Sequence, residues 1–121
     1  MPFVDYYKIV GNRTSSLVVV AEGIFDIFGE YLYNYLGIKD KVRFYASALS
    51  INYKSLLQSI VFFENIYQMD VVILSDSDVS LNYYKKLKRD CSYLIKSLNV
   101  VYNKDGKDFA SSSVSPVKFV L

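Results

Sequence analysis

The sequence predicts an α/β fold: an open, mainly parallel sheet of about four strands, flanked by about three helices. Two observations carry this. Short β-branched runs, apolar at every position, alternate along the chain with longer segments whose apolar residues repeat at helical spacing. Strands apolar on both faces belong to parallel sheets covered by helices, and β-α-β alternation lays successive strands parallel. A third observation bounds the size, since 121 residues suffice for one domain with one core.

Residues 1–15 read as a lead-in, and the turn-rich "GNRTSS", 11–16, leads into the first strand. The core spans about 16–108. "LVVVA", 17–21, is the first strand. The first helix covers 24–36, where Ile24, Ile27, Phe28, Tyr31, Leu32, Tyr35 and Leu36 share a face and Gly37 ends it. "RFYASA", 43–48, is a second strand. The second helix, 52–67, places Leu56, Leu57, Ile60, Phe63 and Ile66 or Tyr67 on one side. "VVILS", 71–75, is the third strand. The third helix covers 80–97, with Ser80 as N-cap and Leu81, Tyr84, Leu87, Cys91, Leu94 and Leu98 as its stripe. "NVVYN", 99–103, is the fourth strand. Residues 104–116 are polar and loop-like, and within the 109–121 extension "VKFVL" returns as a short final strand.

Composition narrows the chemistry. One cysteine, Cys91, and no histidine exclude an internal disulfide, a zinc ribbon and any histidine-based mechanism. The simplest compartment is the cytoplasm of a cell or of a virus-infected host. No apolar run reaches the roughly 18 residues of a membrane helix, and Asp5, Lys8 and Arg13 break any signal-peptide pattern. A net charge of +2 does not by itself argue for nucleic acid, so a basic binding face has to come from local clustering.

The acids are placed unusually. Glu22 directly follows the first strand, and Asp76 and Asp78 follow the third. Parallel strands end on one edge, where ligands bind, and neighbours lie about 4.8 Å apart. If the first and third strands are adjacent, these three carboxylates converge. Asp76 and Asp78, two apart in an extended segment, face the same side. Asp26, one helical turn from Glu22, looks toward the same place. Clustered carboxylates repel unless a cation sits among them. Oxygen ligands without His or Cys select Mg²⁺, Mn²⁺ or Ca²⁺, and Mg²⁺ leaves positions for phosphate oxygens. Helix-dipole and turn-forming roles are the structural alternatives for Asp26 and for the Asp76–Asp78 pair.

At these residues the chain resembles a known family. "VVVAEGIFDIF" resembles the Glu-Gly motif of the Toprim domain, in the form found in bacterial-type and phage DNA primases. "VVILSDSD" resembles the same domain's Asp-x-Asp motif, and "NKDGKDFA" the Gly-Lys-Asp stretch that closes many primase Toprim domains. The resemblance covers about residues 8–108. It implies a Toprim (Rossmann-like) fold and metal-dependent nucleotidyl or phosphoryl transfer on nucleic acid, as in RNA primer synthesis. Glu22 then acts as general acid/base or metal ligand, and Asp26, Asp76 and Asp78 hold Mg²⁺ or Mn²⁺. Lys107 and Asp108 contact nucleotide or support the pocket, with a solvated loop as their structural alternative. The implied partners are a single-stranded DNA template, nucleotides and other primase or replication domains or subunits, with no membrane.

Primases of this family usually add a zinc-binding module and a basic template-holding subdomain. One cysteine cannot make the first, and the residues before the first strand cannot make the second. The chain therefore reads as an excised domain, or as a small Toprim protein that needs partners. Two other classes stay open: a Toprim nuclease that hydrolyses phosphodiesters, and a non-catalytic Toprim-fold interaction module. "DSDVS" also resembles the first motif of haloacid dehalogenase phosphatases, but too little chain follows for their remaining motifs. Lys85, Lys86, Lys88 and Arg89 cluster on the third helix, either as a phosphate-backbone contact or as a solvated face.

Overall fold

The computed structural model describes residues 6–21, 37–38, 40–47, 52–76, 78–103 and 116–121. These form six strands: β1 (Tyr7–Val10), β2 (Leu17–Ala21), β3 (Val42–Ser47), β4 (Met69–Ser75), β5 (Ile95–Asn103) and β6 (Pro116–Val120). Two helices, α1 (Tyr53–Glu64) and α2 (Leu81–Asp90), connect β3 to β4 and β4 to β5. The helix expected over 24–36 lies outside the described residues.

All six strands form one sheet in the order β1-β3-β2-β4-β5-β6. The inner four are parallel, as their apolar sequences require. The sheet is mixed rather than four-stranded, because an antiparallel strand closes each side. β1 pairs with β3 and β6 pairs with β5. β1 falls in the segment read as lead-in. It has only four residues, too few for its alternation to stand out, and it is an edge strand carrying Lys8, which suits an exposed rim. β6 is the return strand expected in "VKFVL".

The helices start where expected. Asn52 caps α1 by accepting from the Ser55 N–H, and Ser80 caps α2 by accepting from Tyr83. α2 ends earlier than expected, at Asp90, and residues 91–94 form a turn. Leu94 and Leu98 keep helical spacing with Leu87 and Cys91, yet both are buried beyond the helix, Leu98 as the partner of Val71 in the ladder. Strand pairing over Ile95–Asn103 overrides the helical period.

Both described helices pack on one face of the sheet. Leu56, Leu57 and Ile60 of α1 and Tyr84 and Leu87 of α2 cover Val18, Val20, Phe44, Ala46, Val71, Ile73, Leu98 and Val100. On the opposite face Val19, Ala21, Val72, Leu74 and Val101 form a second buried cluster, flanked by Ile38 and Tyr45. Gly37, next to Ile38, has φ 68°, in the left-handed region that favours glycine. No described helix is long and apolar enough to cross a membrane.

Candidate functional site

The strand order locates the site. From β2 the chain crosses to β3 on one side, and from β4 it crosses to β5 on the other. Beyond the carboxyl ends of β2 and β4 the connections diverge, and such a switch point is where open α/β sheets leave a crevice for ligands. The adjacency of the "LVVVA" and "VVILS" strands, the condition for the acids to converge, is met. They pair in register, Val18 with Val71 through Ala21 with Leu74. Glu22 is the next residue after Ala21, and Asp76 follows Leu74 by two. Glu22, Asp26, Lys107 and Asp108 themselves lie outside the described residues.

Asp76 and Asp78 are both exposed, on the turn between β4 and α2. Among the described residues neither carboxylate has a hydrogen-bond or ion-pair partner. The backbone that carries them is held firmly. Ser75, buried at the end of β4, donates its hydroxyl to the Asp76 carbonyl at 2.9 Å. The hydroxyl of Tyr84, wholly buried on α2, lies 2.6 Å from Ser75 Oγ. Ser75 has given its one proton to Asp76, so Tyr84 is the donor in this contact. Burial pushes the Tyr84 phenol up to about 12, which keeps it a neutral donor. The Val79 N–H donates to the Asp76 carbonyl at 3.3 Å, and Tyr102 donates to the Val79 carbonyl at 2.8 Å.

Sequence reasoning missed Ser75, Tyr84 and Tyr102 as supports of this turn. Ser75 was visible only as the polar end of an apolar strand, and Tyr84 only as a member of the helix stripe. Nothing in the sequence shows that α2 lies over β4 so that the two hydroxyls meet.

Two exposed carboxylates without a basic partner suit a hard cation, which takes oxygen ligands and compensates their repulsion. Two carboxylates are still an incomplete set. No group of three or more His, Cys, Asp or Glu side chains gathers at metal-binding distance among the described residues.

The basic cluster divides. Lys85, Lys86 and Arg89 are exposed, while Lys88 is half-buried and donates to the backbone oxygen of Leu121, beyond β6. Lys88 thus fastens the last strand to α2 and leaves the outer face to the other three. Arg89 Nε lies 3.7 Å from Asp90 in a mostly exposed pair.

These features define the class of protein: an α/β chain with a Rossmann-like parallel core, an antiparallel strand at each edge and acids beside the switch point. Set against known proteins, the chain matches no family model, no curated protein and no solved structure.

Proposed function

We propose that the chain is the Toprim catalytic domain or subunit of a DNA primase, acting in the cytoplasm on a single-stranded DNA template with nucleotides and further primase or replication domains. The observation that carries the reading is the in-register pairing of β2 with β4 at the switch point, which sets the strand before Glu22 beside the strand before Asp76 and Asp78. That neither aspartate has a partner among the described residues supports it. Asp76 and Asp78, with Asp26 and Glu22, would hold Mg²⁺ or Mn²⁺. When bound, the metal supplies Lewis-acid stabilisation of the charge that builds on a transferring phosphoryl group. Glu22 moves a proton at the reacting oxygen or completes the ligand set. Lys107 and Asp108 steady the nucleotide.

The test has two readouts. Mg²⁺ or Mn²⁺ should raise the thermal midpoint by mass action, and D76N/D78N should lose that rise. Primer synthesis, measured with template, nucleotides and the partner that supplies the template-holding part, should fall nearly to nothing in Glu22→Gln while the fold persists. An unchanged metal response in the double variant would overturn the site. Cleavage of bare nucleic acid by the wild-type chain, with no synthesis under any partner condition, would move the assignment to a Toprim nuclease.

A further inference from the structure

A groove runs between α1 and α2 on the helical face of the sheet. Each helix leads from the carboxyl end of one strand to the amino end of the next, so both begin at the edge that carries Asp76 and Asp78. Near that edge the groove is lined by Lys54, Tyr83, Lys86 and Asp90 in a cavity of about 270 Å³. Further along, Gln58, Tyr67 and Tyr93 line a larger cavity of about 460 Å³. Lys54 and Gln58 are one turn apart on α1, about 6 Å of rise, so the two cavities lie one after the other along that helix.

Three features of the groove call for one kind of occupant. Tyr83, Tyr67 and Tyr93 are 43%, 69% and 57% exposed, far more than the apolar bodies of tyrosines in a packed domain. The Tyr93 ring is held in place, because its hydroxyl accepts from Gln58 Nε2 at 3.1 Å and its carbonyl accepts from Gln68 Nε2 at 2.8 Å. The charge is mainly positive at the smaller cavity, while the larger one is lined by uncharged residues. Lys54 and Lys86 line the smaller cavity, Lys85 and Arg89 stand on the adjoining ridge, and Asp90, the acid that lines it, already lies beside Arg89. An apolar peptide would cover the rings but bury two lysines without a counter-charge, at a high cost. A duplex offers phosphates but hides the faces of its bases. A single strand supplies both phosphates and unstacked rings.

We infer that the groove between α1 and α2 holds a single strand of nucleic acid, with Lys54 and Lys86 on phosphates and Tyr83, Tyr67 and Tyr93 against bases. Tyr83 lies in the first turn of α2, five residues after Asp78, so the strand enters or leaves at the edge of the acids. The inference goes beyond the proposed metal chemistry and does not rest on it, which the experiment makes explicit by working in EDTA.

The experiment is fluorescence anisotropy with a labelled thymidine oligonucleotide of about 12 residues, a length suited to single-strand sites. An abasic strand of equal length and charge is the comparison, and both are titrated over a series of salt concentrations. The base-bearing strand should bind more tightly than the abasic one. Y83L/Y93L should weaken thymidine binding about tenfold or more and erase the difference, with the salt slope unchanged. Tyr93→Phe, which keeps the ring, should retain the difference. K54Q/K86Q should lower the slope of log affinity against log salt by about 1.4. Thermal melts of each variant establish folding beforehand, and the lysine and Tyr93→Phe variants still decide the matter should Y83L/Y93L fail to fold. Equal binding of the two strands, or no binding at low salt, would overturn the inference. D76N/D78N should bind thymidine undiminished in EDTA, so a failed metal site leaves this result standing.

Discussion

Ser75 ends β4 with a buried hydroxyl that donates to the Asp76 carbonyl and accepts from the Tyr84 phenol, with the Tyr102 phenol also beside it. The relay links the middle of α2 to the backbone that presents two exposed carboxylates. Tyr84→Phe removes one hydroxyl from it and leaves the ring in the core. The loss of one buried hydrogen bond should cost about 1 kcal/mol, with the Ser75 hydroxyl left short of a donor. If the relay also positions the turn, Mg²⁺ should raise the midpoint of Tyr84→Phe less than that of wild type. Equal metal shifts beside lowered stability would assign Tyr84 to the core alone. The hydroxyl's role was not legible in the sequence, because Tyr84 fits its helical stripe equally well as a purely apolar ring.

Between elements, the clearest polar tie joins the edge strand β1 region to the far end of α1. Glu64 accepts from the hydroxyl of Tyr6 at 2.8 Å and pairs with Lys8. Burial alone would raise its carboxyl, but hydrogen bonds from Lys8 and Tyr6, with the charges of Lys8 and Arg43, outweigh burial and hold it below the usual range. The Tyr6 phenol is pushed strongly upward, first by burial and then by Glu64, so it stays a donor at every ordinary pH. A depressed folded-state carboxyl adds stability above its unfolded pKa, and that stability is lost as pH falls through the folded value. Glu64→Gln should therefore be less stable than wild type at pH 7. Because Lys8 is partly exposed and screened, the difference should be no more than about 1 kcal/mol. Denaturant melts should show it shrinking toward pH 3. A difference constant with pH would mean that the carboxylate's charge does not fasten β1. This tie spans more than fifty residues, and no local pattern announces it.

Across the whole molecule, protection should follow position in the sheet. Val18, Val19 and Val20 of β2 and Val71 and Ile73 of β4 are completely buried, and both strands are paired on either side. β1 and β6 have one neighbour each, and the described side chains of β6 are exposed. Native-state hydrogen exchange should find the slowest amides in β2 and β4 and much faster exchange in β1 and β6. Edge strands as slow as β2 would contradict this order of stability.

The apolar strands and the helix cap at Ser80 were readable directly, since burial on both faces demands apolar residues and an N-cap demands a short side-chain acceptor. From these the sequence by itself determined an α/β chain with parallel central strands and acids placed just after strand ends. Those are local properties, written in residue type and spacing. The tertiary structure decided the rest. It chose β2 and β4 as neighbours, added antiparallel strands at both edges, and ended α2 at Asp90 so that Leu98 could pair with Val71. It also set Tyr84 over Ser75 and opened a tyrosine-lined groove between two helices. Each of these depends on which distant segment lies alongside, and that is decided by the joint packing of the sheet and its helices, a free energy that no single segment carries.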